Sequence, residues 1–173
     1  YTEGEKRPVI GINPGAAYGP AKCWPAEKYA QLAERLCQET DGIVVVFGTS
    51  ADRVAAGRIQ EAVNNQIRVI DLTGKTTLGQ ALGMISQCSV FVTNDSGLMH
   101  VAAALRVPTV AIFGSTDHIA TGPYSDNASI VRTELDCSPC LETHCPRKHF
   151  RCMEDIHVDD VARAVYGHLE KAA

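Results

Sequence analysis

The chain has 173 residues, 45% hydrophobic and 21% charged, with a formal net charge of −4. That length and balance fit one ordinary globular domain with a full core. The acidic excess argues against general nucleic-acid binding, and there is no apolar run of about 18 residues to form a transmembrane helix. No secretory leader is legible. The chain opens on the polar stretch Tyr1–Arg7, which reads as a linker from a missing N-terminal domain, with residues 8–173 forming the folded unit.

Pro8–Ile12 is a short apolar strand with proline at its start, where a missing donor is tolerated. The loop from Asn13 to Lys22 holds two glycines and two prolines and is irregular. Pro25 suits a first helical position, and Tyr29, Leu32, Ala33 and Leu36 then mark one buried helical face. The only tryptophan, Trp24, anchors that helix and fixes the loop before it. Gly42–Phe47 is a continuous apolar run, as expected of a parallel strand covered on both faces. A turn over Gly48–Asp52 leads to a helix whose inner positions are Ala55, Ile59, Ala62 and Val63, and Ile67–Ile70 is a third strand. Thr77 with Gln80 forms a capping box for a helix with Leu78, Leu82 and Ile85 inward.

Ser89–Thr93 is the fourth strand, and Thr109–Phe113, after the helix-ending Pro108, the fifth. The pattern weakens from Thr121, with a short strand near Ala128–Arg132 and a last helix carrying Val158, Val161, Ala162, Val165 and Leu169 on one face. Strands alternating with helices predict an α/β fold, a Rossmann-like doubly wound parallel sheet. Right-handed crossovers give the strand order 3-2-1-4-5. The topological switch then falls between strands 1 and 4, where ligands of such sheets sit at the carboxyl ends of the strands. The loops flanking it end at Lys22 and contain Asn94-Asp95-Ser96-Gly97.

That second loop opens a helix, whose first turn leaves backbone N–H groups unpaired at the positive end of its dipole. Such a start is a ready phosphate site, and Gly97 removes the Cβ that would hold a ligand away. A capped helix without ligand is the plainer reading of Ser96 and Gly97. Asp95 suits a helix cap or an acceptor for sugar hydroxyls. His100, four residues after Ser96 on the same helical face, either reaches a phosphate or packs structurally. Lys22 neutralises a facing phosphate and assists departure of a nucleoside diphosphate, or is a solvated surface lysine. Asp52 accepts ribose hydroxyls or favours its helix start. Without a G-x-G-x-x-G after strand 1, a standard NAD site is not expected.

Of seven cysteines, Cys23, Cys37 and Cys88 are scattered, whereas Cys137, Cys140, Cys145 and Cys152 cluster. An odd total without a secretion signal argues against a disulfide framework. The C-x2-C pair suits half of a zinc or iron–sulfur site; the x4 and x6 spacings that follow match no common zinc template. His144 and His149 are spare ligands, and packed thiols or disulfides formed on oxidation are the alternatives.

Three stretches are distinctive together: Asn13-Pro-Gly-Ala with Gly19-Pro-Ala-Lys-Cys-Trp-Pro-Ala-Glu27, Val45-Val-Phe-Gly48, and Thr93-Asn-Asp-Ser-Gly-Leu-Met-His100 running on to Leu105. They resemble the ADP-heptose–lipopolysaccharide heptosyltransferases of glycosyltransferase family 9. The resemblance implies the C-terminal half of a GT-B fold, in which two Rossmann-like domains face across a cleft. It implies ADP-heptose as donor, bound in this half with no cofactor required, and a lipopolysaccharide inner-core acceptor bound by the missing domain, which also carries the catalytic aspartate base. In the family the lysine matching Lys22 contacts the donor diphosphate, and the residues matching Asp95, Ser96, Gly97 and His100 line the donor site. The family's acidic ribose ligand has Asp52 as nearest match, offset and shorter. The cysteine segment occurs in some members only, and no role follows for it.

The reaction so implied is an inverting transfer of heptose, in the cytoplasm or peripherally at the cytoplasmic face of the inner membrane, with no nucleic-acid partner. Two other readings stand beside it: another GT-B nucleotide-sugar enzyme, such as a UDP-sugar transferase or epimerase, and a non-catalytic metal-binding module built on the four cysteines.

Overall fold

A computed structural model of the chain describes residues 7–63 and 68–172; the expected linker over residues 1–7 lies almost wholly outside them. The apolar runs become six strands: β1 (Val9–Asn13), β2 (Ile43–Val46), β3 (Val69–Asp71), β4 (Val90–Asn94), β5 (Thr109–Phe113) and β6 (Ala128–Arg132). They form one parallel sheet in the order β3-β2-β1-β4-β5-β6. The predicted order is thus observed, with β6 added beyond β5.

Alternation along each strand sorts side chains into two layers. Ile10, Ile12, Val44, Val46, Val90, Val92, Val110 and Ile112 point one way. They are covered by α1 (Ala26–Thr40), α2 (Arg53–Ala62) and α7 (Val158–Ala172). Val45, Phe47 and Phe91 point the other way, against α3 (Leu78–Ile85) and α4 (Gly97–Ala104). Gly11 belongs to this second layer. A Cβ there would overlap the Phe91 ring, so the glycine lets that ring close over β1. Two four-residue helices, α5 (His118–Thr121) and α6 (Arg151–Glu154), complete the chain.

Several local expectations are met. Tyr29, Leu32, Ala33 and Leu36 are buried in α1, as are Val161, Ala162 and Val165 in α7. Thr77 and Gln80 exchange side-chain and backbone hydrogen bonds as a capping box for α3.

Others are corrected. Pro25 is the cap residue before α1 and not its first helical residue. In α2 the buried residues are Ala56 and Ile59, and Val63 is buried just past its end, as expected of Ile59 and Val63; Ala55 is half-buried and Ala62 exposed, with Ala56 taking the inner place instead. The third strand, expected over residues 67–70, runs Val69–Asp71, with residue 67 outside the described residues. Asp71 stays in the ladder because Thr73 and Lys75 satisfy its carboxylate locally. Leu78, expected in the core, is 68% exposed; Ala81 and Ile85 take the inner face of α3. Leu78 is the first residue of that helix and turns toward the cavity described next.

Candidate functional site

At the carboxyl ends of β1, β2 and β4 lies a cavity of about 820 Å3. Its walls come from four segments: Asn13 and Gly15–Ala17 after β1, Phe47–Asp52 after β2, Gly74 with Thr76–Leu78 and Ala81 around the start of α3, and Ser96–Leu98 with Val101 at the start of α4. One side is apolar, with Phe47, Leu78, Ala81, Leu98 and Val101; the other is turn backbone and small polar residues. The crevice at the switch between β1 and β4 is therefore real, and it extends toward β2.

Ser96 begins α4 as its cap, its Oγ accepting the Met99 N–H at 3.4 Å and lying 3.0 Å from the Thr93 hydroxyl. This corrects the cap reading of Asp95. A Cβ on Gly97 would meet no atom within 4 Å, so the helix start opens freely onto the cavity. The first-turn N–H groups there have no helix carbonyl to take them up.

Asp95 points elsewhere. Its Oδ2 accepts from the Lys22 ammonium at 2.7 Å and from the Thr121 hydroxyl at 3.2 Å. The Lys22 and Asp95 side chains are only 13% and 6% exposed. The Tyr18 ring lies 4.8 Å from the same ammonium. Lys22 is thus no solvated surface lysine. It is drawn to the residue two before Gly97, although neither Lys22 nor Asp95 is in the cavity wall.

Asp52 does line the cavity, but its Oδ2 already accepts from Thr49 N–H at 2.7 Å and the Thr49 hydroxyl at 2.9 Å. Asp52 thus closes a capping box on the short 3-10 turn Ser50–Asp52, and makes no side-chain cap on α2 itself. Its carboxylate also lies against Gly15, where any Cβ would overlap it, so the turn after β2 touches the loop after β1. His100 is exposed on α4, outside the cavity wall.

What holds the Lys22 loop in place is a residue with no role assigned from sequence. Asn94, fully buried at the end of β4, accepts at Oδ1 from Trp24 N–H (3.1 Å) and the Tyr29 hydroxyl (3.0 Å). Its amide donates to Pro14 O at 2.8 Å. Trp24, 1% exposed, donates from its indole to Ile156 O at 3.2 Å and packs edge-on against Tyr29. The anchoring expected of Trp24 is met. The signal for Asn94 was its place beside Thr93 as the polar end of a strand that opens on Val90, Phe91 and Val92.

The four clustered cysteines share a second, much smaller cavity of about 20 Å3, which Ala21, Ser115 and His149 also line. All are free thiols. Among the described residues, no three His, Cys, Asp or Glu side chains already stand in an arrangement that could hold a metal ion. Backbone N–H groups, Phe150's foremost and then those of His149, Arg147 and Lys148, hold the Cys145 thiol below its ordinary pKa. Burial, then the neighbouring Cys140, Cys145 and Cys137, push Cys152 up to about 11.

The parallel sheet, its switch-point cavity and the helix start opening onto it define a Rossmann-like α/β domain. The model of glycosyltransferase family 9 (heptosyltransferase) matches residues 2–151, and the chain belongs to that family. It is 45% identical over 130 residues to lipooligosaccharide heptosyltransferase 2 of Haemophilus influenzae, covering 73% of this chain and 37% of that protein. It is 39% identical over 156 residues to lipooligosaccharide heptosyltransferase 2 of Campylobacter jejuni, covering 88% and 48%.

The solved structure of E. coli ADP-heptose lps heptosyltransferase II superimposes with a TM-score of 0.85 at 39% identity, over 96% of this chain and 47% of that one. The chain spans about half the length, or less, of the curated relatives it matches. The comparisons do not favour the UDP-sugar enzyme or the stand-alone metal module. No described helix is long and apolar enough to cross a membrane.

Proposed function

We propose that the chain, from residue 8 onward, is the donor-nucleotide half of a heptosyltransferase, preceded by a linker at residues 1–7. It takes heptose from ADP-heptose and, with an acceptor-binding domain, transfers it with inversion to the inner core of lipopolysaccharide. The acceptor oxygen attacks the anomeric carbon as the bond to ADP breaks, and a base on that other domain takes the acceptor's proton. The enzyme works in the cytoplasm, at the inner face of the membrane where such an acceptor is built.

The observation that supports this best is the Lys22–Asp95 pair beside the open start of α4. An arriving diphosphate meets the N–H groups at Ser96 and Gly97 and draws on the ammonium now held by Asp95. Charge that develops on the departing ADP is stabilised by the N–H groups already in place and by the ammonium as it turns from Asp95. Asp95 then has an oxygen to offer the sugar hydroxyls. The apolar wall of Phe47, Leu78, Leu98 and Val101 suits the flat adenine ring, and Asp52 stands on the ribose side. His100 lies one turn beyond Ser96, where it meets a ligand that extends past the cavity.

Calorimetry with ADP and UDP on the protein at its full encoded length tests the reading. ADP binds, UDP competes poorly, and Lys22→Ala weakens ADP. Mass spectrometry then detects heptose transfer from ADP-heptose to a core acceptor lacking it. A folded protein that ignores ADP, with Lys22→Ala indistinguishable, overturns the proposal.

A further inference from the structure

Residues 133–150 form no helix or strand. Structureless loops of that length are uncommon in compact domains unless something functional holds them. This one is folded back so that Cys137, Cys140 and Cys145 meet Cys152 of α6 around a single cavity. The meeting is built in from below: a Cβ on Gly114 would crowd both the Met153 side chain and Cys152 Sγ, so the turn after β5 is shaped to admit that sulfur.

The cavity has room for about one water-sized sphere, too little for an organic ligand or a four-iron cluster. Its wall includes Ser115, which is 1% exposed and whose hydroxyl is buried without a hydrogen-bond partner. A buried hydroxyl left unpaired is costly, and the sulfurs that share its cavity are acceptors in the same wall. Four sulfurs cannot all ionise at close quarters without a cation among them.

We propose that Cys137, Cys140, Cys145 and Cys152 bind one thiophilic metal ion, zinc or ferrous iron, which locks the loop supporting the Lys22 segment. Tetrahedral sulfur sites take either ion. The four thiols line one space but do not yet stand in a metal-holding arrangement, so binding draws them together. One thiol proton is released for each sulfur–metal bond, with no change of oxidation state. Ser115 then donates to a coordinated sulfur, as outer-shell groups do.

The link to Lys22 is direct. Ala21 lines the thiol cavity, and its N–H donates to Thr143 O at 3.1 Å. The Tyr18 hydroxyl donates to Leu141 O at 3.4 Å, and Leu141 N–H to Ser115 O at 2.7 Å. A side chain on Gly19 would overlap Thr143 O. The segment bearing Lys22 therefore rests on the cysteine loop at three points.

Metal content is measured on the full-length protein, purified reduced and without chelator. Because ADP plays no part, the result stands apart from the donor reading. One zinc or iron per chain is expected in the unaltered protein and in Cys88→Ala, whose thiol lies outside the cluster. Cys145→Ser loses at least about fivefold of it. Should that variant fail to fold, cobalt exchanged into the unaltered protein decides, since thiolate ligation gives an intense charge-transfer band. The proposal is overturned by folded, reduced protein that carries no metal and takes up neither zinc nor cobalt. It is overturned equally by paired disulfides under anaerobic preparation, or by several irons with acid-labile sulfide.

Discussion

The two cavities stand at the same end of the sheet and are built by opposite means. The first, about 820 Å3, is bounded by turn backbone, small residues and an apolar wall. The second, about 20 Å3, is bounded by sulfur. An open space faced by helix-start N–H groups suits a large anion whose shape is read by packing. A closed space lined by soft donors suits a bare ion. Between them runs one short segment: Lys22 pairs with Asp95, two residues before the Gly97 that opens onto the first, and Ala21 faces the second. A parallel sheet thus places binding loops at one edge, and the side chains delivered there decide what each can hold.

The largest effect is expected where that shared segment is tied to β4. Asn94→Ala removes the partners of Trp24 N–H and Pro14 O in a buried setting. Unpaired buried groups cost about 1–3 kcal/mol each, so the variant loses about 3 kcal/mol and roughly 10 °C in Tm by calorimetry. Both cavities suffer: ADP affinity and metal content fall together. If only one falls, the segment does not couple them.

Next is Lys22→Met. Loss of a charged donor to phosphate lowers ADP affinity about 10- to 100-fold. The same change leaves Asp95 buried without its cation, at about 3 kcal/mol of stability. Lys22→Met with Asp95→Asn recovers most of that stability in denaturant titration and none of the affinity. Recovery of affinity as well would mean that the ammonium serves the fold and not the ligand.

A smaller change, Leu78→Ser, sharpens the contrast between walls. Leu78 is 68% exposed, so stability moves by less than about 0.5 kcal/mol. Adenine packing is weakened, and ADP affinity drops about threefold to tenfold. Metal content is unchanged.

Leu78 also shows where sequence and structure part. Its spacing with Leu82 and Ile85 is a proper helical stripe, and periodicity does not distinguish a core face from a cavity face. The strands, their order and the Thr77–Gln80 cap were legible because each rests on local chemistry: apolar runs, short connections, a side chain three residues from its partner. The site's polar contacts were not. Lys22 and Asp95 are 73 positions apart, and Asn94 and Trp24 are 70 apart. Their pairing follows from β4 lying beside β1, one step after the fold is known. Asp95 looked like a cap because Asp and Ser are comparable caps; the neighbouring serine takes that place, and the carboxylate is free for the ammonium.

The smallest effect is a control remote from both cavities, and it concerns pH. His168 on α7 is 8% exposed and lies 2.9 Å from the Ser129 hydroxyl on β6. Burial, with Lys171 adding to it, lowers its pKa below the ordinary value. The unfolded chain therefore binds a proton at a pH where the folded chain does not, and stability rises with pH wherever that holds. The contribution of the neutral ring is complete above about pH 7 and is lost as pH falls through the ordinary histidine range near 6.5. Tm should decline by a degree or two between about pH 7 and 5.5, and His168→Gln should flatten that decline. The thiol cluster gives up its metal on acidification too, because protons compete for the sulfurs. Metal content followed beside Tm separates the two: in His168→Gln the metal still leaves with acid. A variant that also keeps its metal would tie α7 to the cysteine loop, and the two cavities could no longer be treated as separately built.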